Sequence, residues 1–143
     1  MIVSVKILLV DDHALFRGGV RSLLEEEDEL EIVGEASNGA EEVAKVSELS
    51  PDVVVMDIRL PGGSGIEACE KIIEKYPDTK VIMLTSYAED EMLFSAIRAG
   101  ASGYVLKQVG SNELIDDIEA VGRGEALLDH AVTQRVFKEV RKD

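Results

Sequence analysis

Four apolar runs in this chain stop at side chains that could do chemistry together. Leu8-Leu9-Val10 is followed by Asp11-Asp12, Val53-Val54-Val55-Met56 by Asp57, Val81-Ile82-Met83-Leu84 by Thr85-Ser86, and Tyr104-Val105-Leu106 by Lys107. If all four runs are strands pointing the same way, three carboxylates, a hydroxyl and an ammonium share one rim. Two like charges 4 Å apart repel by about 1 kcal/mol in water and about 4 kcal/mol at an effective dielectric of 20, so such a cluster needs a cation. Lys107 offsets part of the charge and a divalent ion would offset the rest. Oxygen-only donors favour Mg²⁺, with Mn²⁺ or Ca²⁺ as possible substitutes, over zinc. A carboxylate nucleophile facing a metal-polarised phosphoryl donor makes a coherent phosphotransfer site. Singly, each residue has an ordinary role: Asp12 could cap a helix, Lys107 could be a surface lysine and Thr85 a plain strand residue. Their arrival at the same end of successive runs argues for a shared site.

The elements that must hold them follow from periodicity. Apolar runs alternate with amphipathic segments five times, a (βα)₅ pattern. Strands are expected at Val5–Val10, Leu30–Val33, Val53–Met56, Val81–Leu84 and Gly103–Leu106. Three are almost wholly apolar, as parallel strands covered on both faces should be. Helical spacing recurs in Leu15, Phe16, Val20, Leu23 and Leu24, in Ile66, Cys69, Ile72, Ile73 and Tyr76, and in Leu114, Ile115, Ile118 and Val121. Asn38 can cap the second helix, Ser64 and Glu67 form an S-x-x-E capping box for the third, and Gly100 suits a helix C-terminus at positive φ. Gly18-Gly19 inside the first helix costs about 1 kcal/mol per glycine relative to alanine, yet helix is still expected there. Right-handed crossovers of this length imply an α/β, three-layer, doubly wound parallel sheet of order 2-1-3-4-5, whose site lies beyond the carboxyl ends of the strands.

Bulk properties narrow the partners. With 143 residues, 45% apolar and 31% charged, the chain reads as one ordinary globular domain. Its net charge of −14 opposes phosphodiester backbones and anionic lipid, so direct nucleic-acid or membrane binding by this chain is not expected. No apolar run approaches the roughly 20 residues of a membrane span, and Met1–Lys6 has no signal-peptide pattern, which makes a cytoplasmic location the expectation. Cys69, the lone cysteine, falls on a helical apolar face and reads as a buried, inert thiol. His13 and His130 have no partner at ligand spacing, and His13 reads as a solvent-facing residue of the first helical turn. Glu25-Glu26-Glu27-Asp28-Glu29 reads as a solvated helix end, and Gly62-Gly63 as a turn after Pro61.

The residues around these sites resemble the response-regulator receiver family over essentially 5 to 125. The matching stretches are Leu8-Leu9-Val10-Asp11-Asp12-His13, Pro51 through Asp57 with Leu60-Pro61 and Gly65, Val81 through Ser86, and Gly100 through Lys107. Gly34-Glu35-Ala36-Ser37-Asn38-Gly39, Leu84-Thr85-Ser86-Tyr87 and Ala126-Leu127-Leu128-Asp129 are similar to the NarL/LuxR-type branch, whose members usually carry a C-terminal helix-turn-helix domain. The resemblance implies the CheY-like form of the flavodoxin-like fold and a two-component phosphoacceptor, a signalling domain with self-catalysed phosphotransfer and aspartyl-phosphate hydrolysis. It implies that Asp57 takes a phosphoryl group from a sensor histidine kinase or from acetyl phosphate. Asp12 and Asp57, with the backbone carbonyl of Arg59, would ligate Mg²⁺, while Asp11 positions the ion. Lys107 would contact the phosphoryl oxygens, Thr85 would hydrogen-bond them in the active state, and Tyr104 would reorient with it.

Val132, Val136, Phe137 and Val140 fall on one helical face, so a sixth helix over Asp129–Val140 is expected. The resemblance further implies 1–125 as the receiver and 126–143 as a helical extension toward an effector domain absent from this chain. A phosphorylated homodimer and transcriptional output through DNA binding by that effector are expected. The alternative is a stand-alone receiver acting through protein contacts. Gln108 stands where many receivers have proline, so the cis peptide common there is in doubt. Arg59 and Tyr87 occupy positions that influence phosphoryl lifetime, and their bulk is expected to hinder attacking water. A haloacid-dehalogenase-type phosphatase is disfavoured because Arg59 stands where that family needs a second Asp. A flavodoxin-like FMN module is disfavoured because Asp11-Asp12-His13 replaces its phosphate loop.

Overall fold

The computed structural model describes residues 4–60, 63–86, 90–107 and 111–125. Tyr87, Gln108, the Ser64 side chain of the expected capping box, and the expected sixth helix lie outside the described residues. In chain order the elements are β1 (Val5–Val10), α1 (Ala14–Glu25), β2 (Leu30–Ala36), α2 (Gly39–Leu49), β3 (Val53–Met56), β4 (Arg59–Leu60), β5 (Gly63–Ser64), α3 (Gly65–Lys75), β6 (Lys80–Thr85), α4 (Asp90–Arg98), β7 (Gly103–Leu106) and α5 (Ser111–Gly122). Five strands form one parallel sheet in the order β2-β1-β3-β6-β7, the expected winding with the small β4-β5 hairpin set apart.

Strand alternation divides the interior into two cores. Leu8, Val10, Val54, Met56, Val81 and Met83 face one side, under Val46 of α2, Ala68, Cys69 and Ile72 of α3 and Ala96 of α4. Ile7, Leu9, Val53, Val55, Ile82 and Leu84 face the other, under Val20 and Leu24 of α1 and Leu114, Ile118 and Val121 of α5. Burial on both faces is why the central strands are apolar at every position rather than at alternate ones.

Local signals are realised where they are short-range. Asn38 caps α2 by accepting from the Glu41 amide at 2.8 Å, and Gly100 adopts φ +100° after α4. Gly18 and Gly19 sit inside α1 with open space around them. Glu25 through Glu29 form a solvated end, and Cys69 is fully buried, its thiol pushed up to about 12 chiefly by burial.

Three expectations need correction. β2 runs to Ala36, beyond the expected Val33, because its register with β1 shifts between Ile7 and Leu8: Ile7 pairs with Ile32, but Leu8 pairs with Gly34. Skipping Val33 lets Gly34, Glu35 and Ala36 continue the ladder. Leu15 is not on the core face of α1 and is 95% exposed. The buried stripe runs through Phe16, Val20, Leu23 and Leu24, whereas Leu15 shares its row with exposed Gly19, Ser22 and Glu26. Gly63, expected in a turn with Gly62, instead pairs with Leu60 in a short hairpin in which Arg59 also pairs with Ser64.

Candidate functional site

Sheet register places the chemistry. Val10 pairs with Met56, Met56 with Met83 and Thr85 with Leu106, so the residues that follow emerge at one edge. Backbone bonds extend this alignment one step further: the Asp57 amide donates to Val10 O at 3.1 Å and the Lys107 amide to Thr85 O at 2.8 Å.

At that edge Lys107 Nζ lies 2.8 Å from Asp11 Oδ2 and 2.9 Å from Asp57 Oδ2. All three side chains are largely buried, with exposures of 12%, 8% and 5% respectively. Burial works against the lysine charge, but its hydrogen bonds to Asp11 and Asp57 and their attraction outweigh that and hold its pKa above the ordinary lysine value. The Phe16 ring of α1 covers the same ammonium at 4.3 Å. A narrow crevice lined by Asp11, Phe16, Arg17, Asp57 and Leu84 opens here.

Asp57 Oδ1 accepts from the Arg59 amide at 3.2 Å, so the carboxylate is held at the oxygen that Lys107 does not contact. Arg59 itself is exposed in β4. Gly65 opens α3 directly behind this loop, donating its amide to Ile58 O at 2.6 Å. A Cβ there would stand 2.5 Å from Asp57 O and 2.6 Å from Ile58 O, so only glycine permits the approach.

The β1–α1 loop carries the remaining carboxylate. Asp11 Oδ1 accepts from the His13 amide at 2.8 Å, an Asx turn that leads into α1. His13, expected to point into solvent without a partner, is exposed but not alone. Its Nδ1 lies 3.1 Å from Asp11 Oδ1 and 3.2 Å from Asp12 Oδ1. The sequence signal was adjacency alone, and the turn converts adjacency into contact. Asp11, Asp12 and His13 each offer a ligand atom, all within 4.8 Å of one another. With Asp57 nearby, a donor set dominated by hard carboxylate oxygens fits a small hard cation such as Mg²⁺.

Thr85 ends β6, fully buried, and Tyr104 lies partly buried on the neighbouring β7. Met83 pairs with Tyr104 and Thr85 with Leu106, so Thr85 and Tyr104 share one sheet face.

Sequence reasoning missed a second layer. Arg17 of α1 donates from Nη1 to the backbone carbonyl of Asp11 and from Nε to Glu35 Oε1 at 2.8 Å. Arg21 also donates to Glu35, and Lys45 donates to its backbone carbonyl. Nothing in the spacing of Arg17 and Glu35 announces this; it depends on β2 pairing past Val33. Glu42 was missed as well. It looks like a first-turn helical acid, yet it is fully buried and both its oxygens lack a hydrogen-bond partner. Burial pushes its carboxyl up to about 8.

Comparison with known proteins agrees with this geometry. The family described as response regulator receiver domain matches residues 7–119. DevR/DosR of Mycobacterium tuberculosis, a DNA-binding transcriptional activator, is 44% identical over 137 residues, covering 96% of this chain and 63% of its own length. The oxygen regulatory protein NreC of Staphylococcus carnosus is 41% identical over 135 residues, covering 94% of this chain and 62% of its own. The chain therefore spans under two thirds of the length of these curated relatives. A LuxR-family two-component response regulator from Aurantimonas sp. SI85-9A1 has a crystal structure that superposes with a TM-score of 0.87 at 35% identity. That likeness covers 98% of this chain and 99% of the other.

Proposed function

The chain belongs to the response regulator receiver domain family, in its NarL/LuxR-type branch, and from that premise we propose that Asp57 accepts a phosphoryl group from a sensor histidine kinase. One observation carries the reading: a single ammonium, Lys107, bridges two largely buried carboxylates, Asp11 and Asp57, at the carboxyl edge of the sheet. A carboxylate so placed is desolvated and oriented for in-line attack.

In the transfer, an Asp57 oxygen forms a bond to phosphorus as the donor's N–P bond breaks, and the imidazole leaves with that electron pair. Asp12, Asp57 and the Arg59 carbonyl would hold Mg²⁺, with Asp11 positioning it, and the ion when bound neutralises developing charge on the phosphoryl oxygens. Lys107 exchanges one carboxylate contact for a phosphoryl oxygen. Thr85 then donates to the phosphoryl group, and Tyr104, on the same sheet face, fills the space that Thr85 leaves. Moving such an element from 1:99 to 99:1 takes about 5.5 kcal/mol of differential stabilisation, within reach of a few charge-assisted hydrogen bonds.

Water later cleaves the acyl phosphate. Arg59 and Tyr87 slow that step by crowding the approach, so replacing both with alanine shortens the phosphorylated lifetime; an unchanged decay rate rejects this. We take 1–125 as the receiver and 126–143 as the lead to an effector domain, with phosphorylation favouring a homodimer and DNA binding by that effector. The relatives named as transcriptional activators and regulators support this output. The chain's charge of −14 leaves nucleic-acid contact to the effector. A cytoplasmic site of action fits, as no described helix is long and apolar enough to cross a membrane.

The test is direct. Incubated with acetyl phosphate and Mg²⁺, the protein gains one phosphoryl mass by intact mass spectrometry, and Asp57→Ala abolishes it. No gain, or a gain that survives Asp57→Ala, overturns the assignment.

A further inference from the structure

The carbonyl that Arg17 grips belongs to the peptide joining Asp11 to Asp12. Asp11 is already held at its carboxylate, by Lys107 and by the His13 amide. Asp12 is held less firmly: its side chain is 34% exposed and lies 3.2 Å from Nδ1 of the exposed His13. The orientation of the Asp11–Asp12 peptide plane therefore sets the direction in which the Asp12 carboxylate leaves the backbone, and Arg17 is the side chain that holds that plane.

Arg17 is in turn held. Its side chain is only 20% exposed, and Nε donates to Glu35 Oε1. Glu35 is fixed by Arg21 at its other oxygen and by Lys45 at its backbone carbonyl. Burial opposes the Glu35 charge, but the hydrogen bonds from Arg17 and Arg21 prevail and hold its carboxyl below the usual range. Glu35 thus stays ionised at neutral pH and balances the guanidinium charge. An uncompensated guanidinium beside the acid loop would repel a cation entering there.

We infer that Arg17, clamped by Glu35, is a positioning residue for the cation pocket, acting through the Asp11–Asp12 peptide and not by touching the ion. The inference rests on the reading of the site as a Mg²⁺-assisted phosphoacceptor. Its chemistry requires a guanidinium, because Nε and Nη1 serve two partners in a fixed fork that a lysine ammonium cannot reproduce.

The test compares Arg17→Met, Arg17→Lys and Glu35→Gln with Arg21→Met, which removes one of the bonds to Glu35 and leaves the Asp11 contact in place. Manganese affinity is read directly from the electron paramagnetic resonance signal of free Mn²⁺. The Mg²⁺ dependence of phosphorylation by acetyl phosphate is measured alongside, and far-ultraviolet circular dichroism checks folding. Loss of such an outer support costs roughly tenfold or more in metal affinity. We expect that loss for Arg17→Met, a smaller one for Arg17→Lys and Glu35→Gln, and the smallest for Arg21→Met, which leaves Arg17 on both of its partners. The rate at saturating Mg²⁺ should change far less than the Mg²⁺ concentration for half-maximal rate. Folded Arg17 and Glu35 variants with wild-type manganese affinity overturn the inference, as does an equal loss in Arg21→Met, which would make the network a mere staple of α1 to β2. Should Arg17→Met fail to fold, Arg17→Lys and Glu35→Gln decide. A wild type that takes up phosphate while the variants keep full metal affinity sinks only the positioning role; a wild type that takes up neither metal nor phosphate sinks the site reading itself.

Discussion

The Lys107 ammonium lies 4.3 Å from the centre of the Phe16 ring while it contacts Asp11 and Asp57. The ring belongs to α1, the helix that follows the acid loop, so one element carries both the cover over the cation and the entry to the carboxylates. The negative face of the ring attracts the ammonium and excludes water from one side of it.

Phe16→Leu keeps an apolar side chain and removes the ring quadrupole. A cation–π contact of about 0.5–1 kcal/mol corresponds to a two- to fivefold effect. Phosphorylation by acetyl phosphate should slow by that factor, with Asp57 still the acceptor. An unchanged time course would show that the ring merely fills space.

Lys107→Met leaves Asp11 and Asp57 close together with no side-chain cation between them. Removing one partner from a buried ionic cluster typically costs about 3–5 kcal/mol. The melting temperature in chelator should fall accordingly and be partly restored by Mg²⁺, since a ligand bound only by the folded state stabilises it. Thermal melts with and without Mg²⁺ test this, and a variant equally stable in both is evidence against a cation pocket.

Gly65→Ala forces a Cβ to within 2.6 Å of two backbone oxygens, those of Asp57 and Ile58. Backbone cannot swing aside as a side chain can, so the loop bearing the phosphoacceptor must shift, at a cost of about 1–3 kcal/mol. Both stability and phosphorylation rate should drop. Gly18→Ala is the contrast: open space surrounds it within α1, and the gain in helix propensity should stabilise the protein by up to about 1 kcal/mol. Denaturant titration of the two variants should move the midpoint in opposite directions.

Glu42 predicts a pH dependence. Its folded pKa of about 8 stands above the ordinary 4.5, so folding favours the neutral carboxyl. The stability it permits is complete below about pH 4.5 and is lost progressively as pH rises toward 8, at about 1.4 kcal/mol per pKa unit of difference. Glu42→Met replaces two unpartnered buried oxygens with an apolar chain of similar length. The melting temperature should rise by several degrees at pH 8.5 and change little at pH 4.5, flattening the stability–pH curve. A variant that parallels the wild type at every pH places the titration elsewhere.

Much of this molecule was legible before any coordinates. The unbroken apolar character of Val53–Met56 and Val81–Leu84 marked strands buried on both faces, and alternation with amphipathic segments implied the winding. Parallel winding then put Asp11, Asp57, Thr85 and Lys107 at one edge. These conclusions depend on period and order along the chain, which a sequence carries directly. Asn38 and Gly100 were readable for the same reason, since capping and positive φ are decided within a few residues.

What tertiary structure alone decided lies in relations between distant residues. The skipped Val33 lengthened β2 and brought Glu35 to Arg17, a pairing across 18 positions that no local propensity encodes. The rotation of α1 about its axis, which exposes Leu15 and turns Phe16 over Lys107, is set by how the helix seats on the sheet. Glu42 stands in the first turn of α2, where an acid is ordinarily solvated, and only the packing of α2 against its neighbours buries it. The amino-acid order determined which groups reach the rim. The packing of elements far apart in that order determined which of them touch, and so which carboxylates are paired, covered or left alone.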